Sequence, residues 1–163
     1  GTAFGVSDTY SRPRMDLVVN YMTANAITKG ELSVFGGTQW RPLIHVKDIA
    51  QAIVHNLERP VRGIYNLAAT NIQIKDLAHV VSQMTGCKVR HTAQKFQDQR
   101  NYHVSTGKCL RDAVLNPNTV RTIPDGVREI SELVKLGRIK ETENDVYFNV
   151  RHVGNLKAYG QFA

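Results

Sequence analysis

The sequence predicts an α/β arrangement in a single domain spanning residues 1–163. Two observations carry that expectation. Three segments place apolar residues at the spacing of an amphipathic helix: Met15, Val18, Val19, Met22 and Ala26; then Ile49, Ala52, Ile53 and Leu57; then Ile74, Leu77, Val81 and Met84. Around them lie short apolar runs of strand length at 32–35, 41–46, 64–68 and 88–92, several joined through a helical segment in the strand–helix–strand order of a crossover. A chain of 163 residues is enough for one domain and not comfortably two.

In order, residues 1–13 are irregular, and Gly1-Thr2-Ala3-Phe4-Gly5 reads as the end of a buried strand and a turn. A helix over 14–29 follows, with Asp16 in its first turn, where a carboxylate suits the positive end of the helix, and Gly30 as its stop. Asn20 falls within this helix; Asn is a poor helix former, and a buried amide needs a hydrogen-bond partner. A strand over 32–35, a tight turn on Gly36 and Gly37, and a strand over 41–46 come next, the two glycines supplying the positive φ a tight turn needs. The second helix starts at Lys47 or Asp48 and runs to Leu57, closed by Pro60 and Gly63, before a strand at 64–68. A third helix from Ile74 to Met84 ends at Gly86, and a strand covers 88–92. A polar loop over 94–105 runs into a strand, and a helix over 106–115 takes Thr106 as N-cap. Thr122, the early Pro124 and Asp125 open the last helix, which Gly137 ends. The remainder, with Tyr147, Phe148 and Tyr159, is expected to wrap the surface.

Hydrophobic content of 42% and charged content of 21% are those of a globular protein, not a disordered one. No apolar run approaches the roughly 20 residues that cross a bilayer, and no basic region leading into an apolar stretch opens the chain. The reading is therefore a protein with no membrane partner. Cys87 and Cys109 form no CxxC pair and read as buried thiols in a reducing cytoplasm. The six histidines have no ligand spacing, so no metal is expected. A net charge of +7 suits nucleic acid, an anionic substrate or a dispersed solubilising surface. The basic residues are scattered without a run of four, which argues against nucleic acid.

Arg41, at the head of a strand, has two readings from the residues alone. Its guanidinium can hold a pair of phosphate oxygens by parallel hydrogen bonds, or it is an edge arginine in solvent. Trp40 could stack on a base, though a single Trp in a strand is more often core. His45, on an apolar strand, reads as a hydrogen-bonded core residue. No GxSxG, no triad order and no paired carboxylates point to nucleophilic or acid–base work.

Leu32-Ser33-Val34-Phe35-Gly36, followed by Arg41-Pro42-Leu43-Ile44-His45-Val46-Lys47-Asp48, resembles the C-terminal half of the extended short-chain dehydrogenase/reductase family, the NAD-dependent nucleotide-sugar epimerases and dehydratases. There a strand ending in aromatic-Gly leads into Arg, two or three bulky residues, His-Val-x-Asp and a helix. Many members carry Asp where this chain has Pro42. Thr2-Ala3-Phe4-Gly5 resembles the tail of the sixth strand of that family's nucleotide-binding sheet. Asp16-Leu17-Val18-Val19-Asn20 resembles a motif whose Asn lies against the substrate. Asp98-Gln99-Arg100-Asn101-Tyr102 resembles the segment that brings a second arginine to the diphosphate, although by itself Arg100 reads as a loop arginine in solvent.

The resemblance implies a fold that is the C-terminal, substrate-binding part of an extended Rossmann-type epimerase, lacking the N-terminal dinucleotide-binding half. It implies a nucleoside diphosphate hexose as ligand: Thr2 and Asn20 at the sugar, the backbone near Ser33 and Phe35 at the base, Arg41 and Arg100 on the phosphates. NAD is the cofactor of the parent family. The sequence contains no GxGxxG to cradle a dinucleotide pyrophosphate and no Tyr-x-x-x-Lys. The expectation is therefore that this chain alone binds no cofactor, holds no catalytic residue and does not turn over. The apolar faces over 48–57 and 64–68 would lack their family partner, which predicts a homo-oligomer. Two other classes stay open: a free-standing nucleotide or nucleotide-sugar binding module, and a basic structural or nucleic-acid-associated protein.

Overall fold

The computed structural model describes residues 1–92 and 100–158. The expectations that fall on 94–99 and on Tyr159 lie outside the described residues. The elements are β1 (Thr2–Phe4), α1 (Val18–Lys29), β2 (Glu31–Phe35), β3 (Trp40–His45), α2 (Val46–Glu58), β4 (Thr70–Gln73), α3 (Ile74–Thr85), β5 (Lys88–Thr92), α4 (Gly107–Arg111), α5 (Ile123–Lys135), a 3-10 turn (Asp145–Tyr147) and α6 (Asn149–Ala158). The mixed α/β class holds. The strands form two small sheets. One has the order β1-β3-β4, with β1 parallel and β4 antiparallel to β3; the other is the parallel pair β2-β5.

The Gly36–Gly37 turn is present, with φ of 69° and 87°, but it joins strands of different sheets and not a hairpin. Its backbone serves the start of α3. The Gly37 carbonyl accepts from the Lys75 N–H at 2.9 Å, and the Gln39 carbonyl accepts from the Ile74 N–H at 3.1 Å. Those are donors that a helix cannot satisfy internally.

α1 begins at Val18, four residues later than the periodicity predicts. Residues 14–17 are held outside the helix. Arg14 pairs with Asp16 through two hydrogen bonds of 3.0 and 2.9 Å, and the Met15 N–H bonds to the Tyr147 carbonyl at 2.9 Å. Asp16 is therefore not in the first helical turn. α1 is the central helix, buried from Val19 to Ala26 except at Tyr21. Its one side packs with Phe4, Leu32, Leu77 and Val127; its other packs with Val6, Met15, Ile130 and Ile139.

Four other expectations are corrected. Residues 64–68 form no ladder; Tyr65 and Leu67 turn inward onto Ile44 and Ala52, and the strand forms further on, at Thr70, against Leu43. The run leading to Ser105 is not a strand either. The Asn71 side-chain amide takes both backbone groups of Val104, accepting at 3.0 Å and donating at 3.1 Å, and so replaces a ladder. α4 is only five residues long, because the chain turns at Ala113, with φ of 53° and a bond from the Val114 N–H to the Cys109 carbonyl. The tail does not merely wrap. It forms the 3-10 turn and α6, with Tyr147 and Phe148 packed on the cluster of Met15 and Ile130.

Candidate functional site

β2 alternates by the pleat: Leu32 and Val34 are buried, while Ser33 is exposed and Phe35 half-buried. Along it runs a cleft of about 690 Å³, bounded by β2, by α1 and its lead-in, by Gln39 and Arg41, and by the tail segment around Phe148. The strand's four residue steps make β2 about 13 Å long.

Arg41 faces this cleft yet is only 6% exposed. Its Nη1 donates to the Trp40 carbonyl at 2.8 Å and to the Arg100 carbonyl. The following residues lean on the same strand. The Asn101 side chain accepts from the Trp40 N–H at 2.9 Å, and the His103 ring lies tilted against the Trp40 ring at 4.1 Å. The two arginine-bearing segments thus meet at the head of β3. What sits on Arg41 is the carbonyl of Arg100; the residue itself is exposed. Trp40 is half-buried, with the tilted His103 ring against it.

The rest of the Arg41–Asp48 run does something else. His45 is fully buried, its ring edge-on to Phe4 at 5.1 Å. Its Nδ1 accepts from the Lys47 N–H at 3.1 Å, capping α2, and its Nε2 bonds to Glu129 at 2.8 Å. Lys47 reaches the other oxygen of Glu129 at 2.5 Å. Burial pushes the Glu129 carboxyl up, but the bonds from Lys47 and His45 outweigh it and leave its pKa below the ordinary value. Asp48, 1% exposed, accepts from the Arg121 N–H at 2.8 Å and its guanidinium at 2.5 Å. These groups staple the start of α2 to α5 and the chain leading into it. Gly5 belongs to the same fit. It has φ of 77°, and a Cβ there would stand 2.0 Å from the His45 ring, so no other residue can occupy the position.

Asn20 is also fully buried, and neither it nor Thr2 lines the cleft. The Asn20 side chain accepts from the Gly5 N–H at 2.8 Å and donates to the carbonyls of Gly5 and Arg14, both at 3.1 Å. Both amide hydrogens are spent on backbone, so Asn20 pins the turn after β1 and lies outside the cleft. Thr2 stands in β1 opposite Leu43, half-buried. The structure thus brings Ser33, Phe35 and Arg41 to one cleft, with the Arg100 backbone behind it and Thr2 and Asn20 elsewhere.

Sequence reasoning missed the facing wall. Tyr21 and Lys29 of α1 meet Glu143, Phe148 and Arg151 of the tail. The Tyr21 hydroxyl donates to Glu143 at 2.6 Å, and Lys29 lies 3.8 Å from the same carboxylate. Burial, and then Glu143, push the Tyr21 phenol up, so it stays a donor. The only signal in the sequence was the aromatic pair Tyr147-Phe148 inside a polar tail. Among the described residues no group of three His, Cys, Asp or Glu could hold a metal, and no helix is long and apolar enough to cross a membrane.

Residues 2–68 match the model of the NAD dependent epimerase/dehydratase family. Among curated proteins none matches the chain. Solved structures share its fold. An NAD-dependent NDP-hexosamine 5,6-dehydratase, TunA, involved in tunicamycin biosynthesis, is 19% identical with a TM-score of 0.65 over 87% of this chain and 44% of its own. The ADP-L-glycero-D-manno-heptose-6-epimerase of Helicobacter pylori is 18% identical, with a TM-score of 0.64 over 82% and 42%. MoeE5, solved with UDP-glucose and NAD, is 19% identical, with a TM-score of 0.60 over 83% and 46%. At these identities the likeness is one of fold, and the chain spans less than half the length of each of these neighbours.

Proposed function

We propose that this chain is the C-terminal, nucleotide-sugar-binding portion of an NAD-dependent epimerase/dehydratase, and that it holds a nucleoside diphosphate in the cleft along β2. The observation that carries this reading is Arg41: a nearly buried guanidinium, fixed by two carbonyls, lining a cleft of ligand size. Arg41 holds the diphosphate, with Arg100 reaching it from the adjoining segment. The backbone at Ser33 and Phe35 borders the base; Thr2, in β1 and outside the cleft, takes no ligand contact in this reading. Asn20 acts by shaping the turn after β1. The family match over 2–68 and a neighbour that binds UDP-glucose support the choice of ligand.

The residues present do not fit NAD. None of the glycines stands in the GxGxxG spacing that a dinucleotide pyrophosphate requires, and no tyrosine is followed four places on by lysine. In this reading the chain binds without turnover. The test is calorimetric titration with uridine diphosphate and UDP-glucose, alongside an absorbance assay for NAD reduction. Binding that Arg41→Ala weakens supports the reading; no binding of either nucleotide sinks it.

The chain also self-associates in this reading. Ile53, Val54 and Leu57 of α2 are 55 to 76% exposed, and Ile64 nearby in sequence is 90% exposed. Apolar side chains in such number invite a second copy, since the same face on two copies can be self-complementary. Light scattering is expected to report a dimer or larger, and Leu57→Asp to reduce it; a monomer at high concentration removes this part of the proposal.

A further inference from the structure

The tail side of the cleft carries a guanidinium held over an aromatic ring. The Arg151 guanidinium lies 4.2 Å over the centre of the Phe148 ring, and the Tyr21 ring stands edge-on to Phe148 at 6.4 Å. All three residues line the cleft. Arg151 is about half exposed, and its carboxylate partners Glu143 and Asp145 are 3.9 and 3.6 Å away. Those distances make loose ion pairs that aim the guanidinium without enclosing it. The guanidinium is therefore held over an aromatic ring in the lining of the cleft. Such a plate suits a planar π ligand, which stacks on both guanidinium and aromatic groups.

We propose that Arg151, stacked on Phe148, is the surface on which the nucleobase of the ligand stacks, while the diphosphate reaches Arg41. The inference rests on the nucleoside diphosphate reading above and adds the tail segment to the site. Phe148 and Arg151 touch the base. Tyr21 and Glu143 are positioning residues: the phenol donates to Glu143, whose backbone carbonyl accepts from Arg151 at 3.3 Å. Since stacking accepts any base, this wall supplies affinity, and the edge of β2 is left to distinguish one base from another.

The experiment is titration of the full chain with two probes, uridine diphosphate and inorganic pyrophosphate. Arg151→Ala and Phe148→Leu are each expected to weaken uridine diphosphate about tenfold, the effect of losing one stacked base, and to leave pyrophosphate unchanged. Arg41→Ala weakens both probes. If the two tail variants bind uridine diphosphate as tightly as the wild type while Arg41→Ala does not, the plate is refuted and the diphosphate reading survives. If they weaken both probes equally, their role is structural and the inference also fails. If the wild type binds neither probe, both readings fall together. Phe148 is packed on the core, so its variant is checked by thermal melting; Arg151→Ala, at a half-exposed site, carries the test if Phe148→Leu does not fold.

Discussion

One run of eight residues, Arg41 to Asp48, feeds two regions that treat polar groups in opposite ways. At the start of α2, His45, Lys47 and Asp48 each find a partner on or just before α5, at hydrogen-bonding distance and largely out of water. Along β2, the charged heads of Lys29 and Arg151 are half exposed and meet their carboxylates only at 3.8 Å or slightly beyond either side of it. A buried network with its bonds made is committed to holding elements together. Charged groups around an open cavity, loosely paired, keep capacity for something else. A motif recognised as one unit thus divides its labour: Arg41 to the cleft, His45 and Asp48 to the frame.

The largest effect belongs to the frame. Asp48→Ala strips the buried partner from Arg121 and is expected to cost about 3 kcal/mol, as breaking a buried ion pair does. Urea denaturation measures it. The surviving folded protein should bind uridine diphosphate as the wild type does; a loss of affinity without a loss of stability would break the comparison. Arg41→Ala is the mirror image. Losing its charged hydrogen bonds is expected to weaken uridine diphosphate by about 2 kcal/mol, roughly 30-fold. Stability should fall by only about 1 kcal/mol, for the carbonyls of Trp40 and Arg100 left without that donor. Arg41→Lys should restore little, because an ammonium cannot reproduce the fork.

Acid sharpens the contrast further. Glu129 has its pKa depressed in the folded chain by Lys47 and His45, against the upward push of burial. The folded state therefore binds fewer protons than the unfolded one. The carboxylate contributes stability above its ordinary value of 4.5, and that contribution is lost as pH falls below it and through the folded value. Melting temperature from pH 6 downward should drop more steeply for the wild type than for Glu129→Gln. Parallel acid limbs would show that Glu129 contributes no linkage.

Much of the frame was legible because it is local. The stops at Gly30 and Gly86, the strand at Lys88–Thr92 and the cap at Thr122 follow from short-range chemistry. The misreadings have a common physical origin in partners distant along the chain. Residues 64–68 have the composition of a strand, but the chain turns their inner side chains onto Ala52 and Cys109 without a ladder. Asn20 sits in a helix, and its bonds to Gly5 and Arg14 could not be read from spacing. In the site, Arg41 and Ser33 lie on one continuous stretch and were visible. The facing wall joins Tyr21 to Glu143 across 122 positions, a separation no periodicity reports.

The smallest effect comes from a third network, satisfied like the frame but exposed like the cleft. At the start of α5 the Asp125 carboxylate accepts from the Thr122 N–H and from its hydroxyl, both at 2.7 Å, while Thr122 in turn caps the helix. These bonds hold the Asp125 pKa down, so the box is fully formed near neutral pH. Because water can replace much of what is lost, Asp125→Ala is expected to cost about 1 kcal/mol, the usual worth of a helix cap. Asp125→Asn keeps an acceptor and should recover most of it. Both variants should leave the affinity for uridine diphosphate untouched, since no residue of α5 lines the cleft. If Asp125→Ala instead costs as much as Asp48→Ala, exposure does not separate the two networks, and burial is the wrong variable on which to divide this molecule.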